Sequence, residues 1–151
     1  MSRVDVRPIR RSELEGVLPL VAGYQRYYGA EPDVGRNRAF FSRFLDPSDV
    51  GLLLGAWVNA DLAGFATLYW FFSSTKAADS VLMNDLFVQE DVRGAGIGRA
   101  LIQRAIAEAR RRGAAHLEWY TSPSNLVAQR LYDSLPGVQR STWHAYEIET
   151  E

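Results

Sequence analysis

Apolar and polar positions along the chain change their period several times, and each change marks an element. Residues 4–9 read as a short strand. Leu14, Val17, Leu18, Val21 and Tyr24 then recur at helical spacing behind Ser12-x-x-Glu15, which has the form of a capping box. This predicts a helix running to about Tyr28 and stopping at Gly29. Residues 36–45 form a second, shorter helix ended by Asp46-Pro47. Residues 51–58 are apolar and strand-like, Asn59-Ala60-Asp61 turns the chain, and residues 63–72 return as the second arm of a hairpin. A polar loop over 73–79 leads to a strand at 81–88.

The second half is organised around residues 81–112, VLMNDLFVQEDVRGAGIGRALIQRAIAEARRR, where an apolar strand passes through a glycine-rich turn into an amphipathic helix. Leu101, Ile102, Ala105, Ile106 and Ala109 give that helix one buried face, and Gly113 stops it. Residues 116–121 alternate and are β-rich, completing a strand, helix, parallel strand unit. A further helix starts at Ser124 or Asn125, carries Val127, Ala128, Leu131 and Tyr132, and ends near Pro136-Gly137. A final strand covers 143–149. The order of elements predicts one α/β domain over 1–151 with a mixed central sheet.

Composition narrows the function classes. A chain of 151 residues with 47% hydrophobic and 23% charged positions suits a globular domain, and no apolar run approaches the roughly 20 residues that span a bilayer. The start, MSRVDVRPIRR, lacks the apolar core of a signal peptide, so a cytoplasmic location and no membrane partner are expected. A net charge of -1 gives no field to attract nucleic acid, and Arg110-Arg111-Arg112 reads as cations ending a helix. Cysteine is absent and histidine is limited to His116 and His144, so no metal centre is expected and a cysteinyl acyl intermediate is excluded.

The glycine turn aims backbone N–H groups and the positive end of a helix dipole at an anion, which makes a phosphate-bearing ligand its natural occupant. A P-loop would need Lys-Ser/Thr after Gly98, where Arg99 and Ala100 stand. A dinucleotide fingerprint would need a third glycine at Arg99. The pattern that fits, Arg93-x-x-Gly96-x-Gly98 after Asp85-Leu86-Phe87-Val88, resembles the coenzyme A pyrophosphate loop of the GNAT N-acetyltransferase superfamily.

The resemblance covers nearly the whole chain and is closest over 81–132. Phe44-Leu45-Asp46-Pro47, Asn84-Asp85-Leu86-Phe87-Val88, Trp119-Tyr120-Thr121, Ser124-Asn125, Ala128-Gln129, Leu131-Tyr132 and the strand at Trp143 look like the branch holding diamine and yeast histone/polyamine acetyltransferases. It implies the GNAT acyl-CoA N-acyltransferase fold, a mixed, mostly antiparallel sheet flanked by helices, with acetyl-CoA as acyl donor. By that resemblance, Leu86, Phe87 and Val88 hold the acetyl and pantetheine portion. Arg93, Gly94, Ala95, Gly96, Ile97, Gly98 and Arg99 hold the pyrophosphate, and Asn125 and Ala128 lie along the pantetheine arm. Tyr132 is the implied general acid, also against the cofactor, and its unperturbed pKa of about 10 suits protonation of a departing thiolate.

The acceptor side is less defined. The diamine branch has a glutamate where this chain has Asn84, and an amide cannot take a proton, so the base is Asp85, Glu118, a water chain or solvent. Tyr27, Tyr28, Glu31 and Asp33 cluster where the superfamily builds its acceptor side, and with Asn84 and Asp85 they suit a cationic amine. The expected activity is direct acetyl transfer to the primary amine of a small molecule or a lysine, with the Leu86 N–H as oxyanion donor. The alternative, a non-catalytic acyl-CoA-binding module, draws on the missing glutamate. Relatives often dimerise through C-terminal strands, which implies a homodimer.

Overall fold

In the computed structural model, residues 3–151 are described, and the chain divides into two compact units with the boundary at Tyr120 and Thr121. The first unit carries five strands in sheet order, β1 (Val4–Pro8), β2 (Gly51–Val58), β3 (Asp61–Ser73), β4 (Ala78–Val88) and β5 (Leu117–Glu118). Neighbours are antiparallel except β4 and β5, which are parallel, so the sheet is mixed and mostly antiparallel as expected.

Helices α1 (Leu14–Tyr27) and α2 (Val34–Phe41) cover one face of the sheet. Their Val17, Leu18, Val21 and Phe41 join Leu53 of β2 and Phe65 of β3 in a core that excludes water. Helix α3 (Ile97–Arg111) covers the other face with Ile97, Leu101, Ile102, Ala105 and Ala109. Its last turn is cationic as expected: Arg111 pairs with Glu108 at 3.2 Å, and the Arg112 guanidinium lies 3.9 Å from the Trp70 ring centroid.

Helix α1 does not begin at a Ser12 capping box. The Arg10 N–H donates to Glu13 Oε1 at 2.9 Å, Ser12 lies within a short 3-10 turn, and Glu15 instead pairs with Arg38 at 2.8 Å. The cause is Arg7, whose two terminal nitrogens fork onto both Glu13 oxygens at 2.8 and 2.7 Å and fix the carboxylate where it meets Arg10. Helix α2 is shifted from the expected 36–45, starting after the Asp33 cap and giving way to a 3-10 turn at Ser42–Phe44.

Of the expected loop at 73–79, residues 74–77 are turn, and the strands extend into it from both sides. Phe72 pairs with Asp79 and Ser73 with Ala78, at a hairpin end that projects into solvent and therefore lacks an apolar alternation. Strand β5 is shorter than 116–121.

The second unit holds α4 (Leu126–Asp133), which ends earlier than Pro136. Asn125 is its N-cap, the side-chain oxygen accepting from the Ala128 N–H at 3.2 Å. The final strand at 143–149 is not formed. Trp143, Tyr146 and Ile148 are 81%, 92% and 89% exposed. A β-rich segment becomes a strand only when another strand takes its backbone hydrogen bonds, and among the described residues none does so here.

Candidate active site

Strands β4 and β5 pair only at Val81 with Leu117 and Leu82 with Glu118, so β4 continues to Val88 with its outer edge unpaired by β5. The Gln89 N–H donates to Ala63 O at 2.8 Å. Backbone polar groups alternate sides along an antiparallel strand, so those of Phe87 also face β3 while those of Leu86 and Val88 face the open edge. Arg93 shows the same polarity from outside, its Nε donating to Val88 O at 3.0 Å.

Beyond this edge the turn is built as its glycines require. Gly94 and Gly96 have φ of +87° and +81°, a region costly for other residues, and Gly96 is the N-cap of the 15-residue α3. Gly98 already lies in the first helical turn. A Cβ at Gly94 or Gly96 would meet nothing within 4 Å, so space lies open in front of the turn. The N–H groups of Ile97 and Gly98 have no carbonyl partner within their own helix, and Ala95 and Arg99 flank them. Open edge, open turn and helix start together fit an extended amide chain ending in a pyrophosphate.

The register between β3 and β4 slips at Thr67/Leu68, where Leu68 faces Met83 and Thr67 faces Asp85, leaving Asn84 as the extra residue. Without that bulge Asp85 would share the α3 side with Val81 and Met83; with it, Asp85 joins Phe65, Thr67, Tyr69 and Phe87 on the face that α1 covers. Asp85 is 3% exposed. Burial pushes its pKa up, opposed by the hydroxyls of Thr67 and Tyr24 and by the Asn84 amide. Of these only Asn84 Nδ2 donates at normal length, 2.9 Å to Oδ1, whereas the buried Thr67 Oγ1 completes no hydrogen bond of normal geometry.

The aromatic residues around this carboxylate are perturbed in turn. Burial, then Asp85, raises Tyr24, and the same two causes push Tyr69 up to about 12 against the lowering influence of Arg43. Tyr24 meets Phe65, Phe87 and Tyr28 with ring centroids at 5.9, 6.3 and 5.0 Å. Tyr28 contacts Tyr27 at 5.1 Å, and both are largely exposed, as is Glu31. Sequence reasoning placed Tyr24 among core residues and passed over Thr67 and Tyr69. The available signal was Thr67 itself, a polar residue within the apolar run Phe65-Ala66-Thr67-Leu68.

Glu118 lies on β5, where it accepts from the Tyr120 hydroxyl at 3.1 Å. Asn125, Ala128 and the half-buried Tyr132 belong to the second unit, on α4 and its cap. Among the described residues no group of three or more histidine, cysteine or acidic side chains is placed to hold a metal ion.

Comparison with known proteins agrees with this architecture. The model of the acetyltransferase (GNAT) family matches residues 18–135, and the chain belongs to that family. It is 30% identical over 130 residues to the uncharacterized N-acetyltransferase YhfO of Bacillus subtilis, covering 86% of this chain and 87% of that one. It is 32% identical over 134 residues to the D-amino-acid N-acetyltransferase HPA3 of Saccharomyces cerevisiae, covering 86% and 82%. Among solved structures it resembles a probable acetyltransferase, with a TM-score of 0.82, 26% identity and coverage of 99% and 98%. Aminoglycoside N-acetyltransferase AAC(6')-Iy, solved with CoA, has the same fold at a TM-score of 0.82, 19% identity and coverage of 99% and 97%. The protein is a GNAT-family acyltransferase, and acetyl-CoA is the family's acyl donor.

Proposed function

We propose that this acetyltransferase acts on a primary amine, of a polyamine, an amino acid, another small molecule or a protein lysine, by direct attack of the amine on the thioester. The observation that carries the reading is a buried carboxylate with tyrosines around it, on the same strand whose outer edge is left open towards the glycine turn. Acetyl-CoA supplies an acyl group activated as a thioester. The outward backbone groups of Leu86 and Val88 would hold its extended arm, and the turn from Arg93 to Arg99 its pyrophosphate. The Leu86 N–H is the donor best directed at charge developing on the thioester oxygen, a kind of contact worth about 3 kcal/mol where measured.

Tyr132 would protonate the leaving thiolate, with Asn125 and Ala128 beside the cofactor arm. The family match runs through both units, which favours reading them as one GNAT domain. On the acceptor side, Tyr27, Tyr28 and Glu31 form an exposed aromatic and acidic group suited to a cation, joined by the exposed Asn84 and the buried Asp85 of β4. The test is calorimetry with acetyl-CoA followed by thiol release with polyamines, amino acids of both hands and histone-like peptides. Binding with release on an amine supports the reading; binding without release on any of them overturns the amine assignment.

We also propose that residues 143–148, apolar and exposed, pair with a second copy of the chain. Sedimentation of the whole chain at micromolar concentration should then give the mass of a dimer; a monomer would refute it.

A further inference from the structure

Asn84 and Asp85 are neighbours in sequence with opposite surroundings, the amide exposed and the carboxylate only 3% exposed. Successive side chains of a regular strand point to opposite faces and do not meet. The bulge lifts that restriction, and Asn84 Nδ2 donates to Asp85 Oδ1 at 2.9 Å. Thr67 stands opposite Asp85 in the register, yet its Oγ1 completes no hydrogen bond of normal geometry, which leaves the amide as the donor at normal length. An ionised carboxylate only accepts, so it takes the N–H end of the amide and decides which way Asn84 faces. Turning the amide over would bring two acceptor oxygens together. Oδ1 therefore lies across Cγ from Asp85, on a side chain that is exposed. Its place on the strand matters as well. Strand β5 pairs with β4 as far as Leu82, so Asn84 stands where the outer edge has opened, two residues before Leu86. Two residues of strand span about 7 Å.

We infer that Asn84 Oδ1 holds the acceptor amine by accepting one of its N–H groups, and that Asp85 is a positioning residue acting through Asn84. A carboxylate this enclosed is badly placed to meet an acceptor, whereas the amide beside it is exposed. The two together do what neither does alone: the buried charge fixes the amide, and the amide carries an acceptor oxygen out to the open edge. A carbonyl oxygen accepts from an ammonium and from a neutral amine alike, so the contact persists through the loss of the proton that precedes attack. The amine is then held near the Leu86 N–H, the donor assigned to the thioester oxygen. The inference rests on the amine-acetyltransferase reading and adds to it the atom that meets the amine and the group that aims that atom.

The experiment measures kcat and both KM values for the wild-type chain, Asn84→Ala, Asp85→Asn and the double variant, using acetyl-CoA with spermidine, lysine and D-alanine. Asn84→Ala should raise KM for the amine about tenfold or more, the usual weight of a hydrogen bond to a charged group, while KM for acetyl-CoA stays put. Asp85→Asn puts a group that donates as well as accepts beside Asn84, so the amide is no longer held one way round. It should raise KM for the amine about threefold to tenfold, the cost of ordering one freed side chain on binding. The double variant should be no worse than Asn84→Ala, because Asp85 acts only through that amide. A fall of about 10²-fold in kcat for Asp85→Asn with KM for the amine unmoved would make Asp85 a base and overturn the positioning role, as would losses that multiply in the double variant. A wild-type chain that acetylates none of the three amines overturns the underlying reading and this inference with it. A second measurement is independent of turnover: the side-chain amide NMR resonances of Asn84, identified by their absence in Asn84→Ala, should move in Asp85→Asn and on adding spermidine to the wild-type chain. Resonances unmoved by Asp85→Asn refute the clasp, and resonances unmoved by spermidine at concentrations that saturate turnover refute the amine contact.

Discussion

Thr67 and Asp85 stand opposite one another on β3 and β4, on the face that α1 covers, because the strand register slips by one residue beside them. The bulge at Asn84 thus places a carboxylate in an apolar core, which is a cost to folding that the site's chemistry must justify. Burial raises the Asp85 pKa above its unfolded value, so the folded state holds the proton more tightly. Stability then falls as pH rises from the unfolded carboxylate pKa through the folded one. Asp85→Asn removes that loss and keeps the shape. The variant should be more stable than wild type at pH 7 by on the order of 1 kcal/mol, with the difference fading towards pH 4. Urea unfolding at several pH values measures this; a less stable variant at pH 7 would show that the charge is fully compensated in the fold.

Glu13 shows the opposite sign. The fork from Arg7 is the largest cause holding its pKa down at about 2, assisted by the Arg10 N–H and opposed by partial burial. A depressed folded pKa stabilises above the unfolded value and is lost as pH falls towards 2. Glu13→Gln should therefore cost about 1 kcal/mol at pH 7, since the pair is partly solvated, and the deficit should close between pH 4.5 and 2. A deficit independent of pH would assign the effect to packing at the start of α1.

Much of this architecture is legible in the chain. The hairpin of β2 and β3, the buried face of α3 and the turn at Gly94 and Gly96 follow from apolar periodicity and glycine placement, both of which act locally. The entry to α1 is not, because Ser12 has the right chemistry for a cap but Arg7 holds Glu13 across a gap in sequence that no local pattern records. The surroundings of Asp85 are hidden for a similar reason. A one-residue bulge changes which face every following β4 side chain occupies, so Tyr24, Thr67 and Tyr69 meet it only once register is known. The segment at 143–149 has strand composition without a strand partner in the described structure, and composition cannot supply one.

The turn separates conformational from ligand effects. At Gly96, φ of +81° penalises any Cβ, yet the Cβ itself would meet nothing. Gly96→Ala should cost about 1 kcal/mol of stability through backbone strain alone. Gly96→Glu adds a negative charge before the N–H groups of α3 and should weaken acetyl-CoA binding by about 10²-fold or more, beyond the loss in the alanine variant. Calorimetry on both variants decides it, and equal affinities would mean that the open space at Gly96 is not where the pyrophosphate lies.

Tyr132 and Asn125 sit one cap and two turns apart on α4, but their side chains are used differently. Asn125 commits its oxygen to the Ala128 N–H, so Asn125→Ala should loosen the start of α4 by about 1 kcal/mol whatever its part in cofactor binding. Tyr132 is half-buried on an eight-residue helix, and a purely structural tyrosine there would tolerate loss of its hydroxyl with little effect on rate. If Tyr132 protonates the leaving thiolate, Tyr132→Phe should lower kcat by about 10²-fold while acetyl-CoA affinity stays nearly unchanged, since the hydroxyl acts only as the C–S bond breaks. The loss should appear with every amine accepted, because the leaving group is common to all of them. It should also be smaller with an acyl donor whose thiol has a lower pKa, since such a thiolate departs without needing a proton. Turnover equal to wild type would return Tyr132 to a packing role and leave solvent as the proton donor.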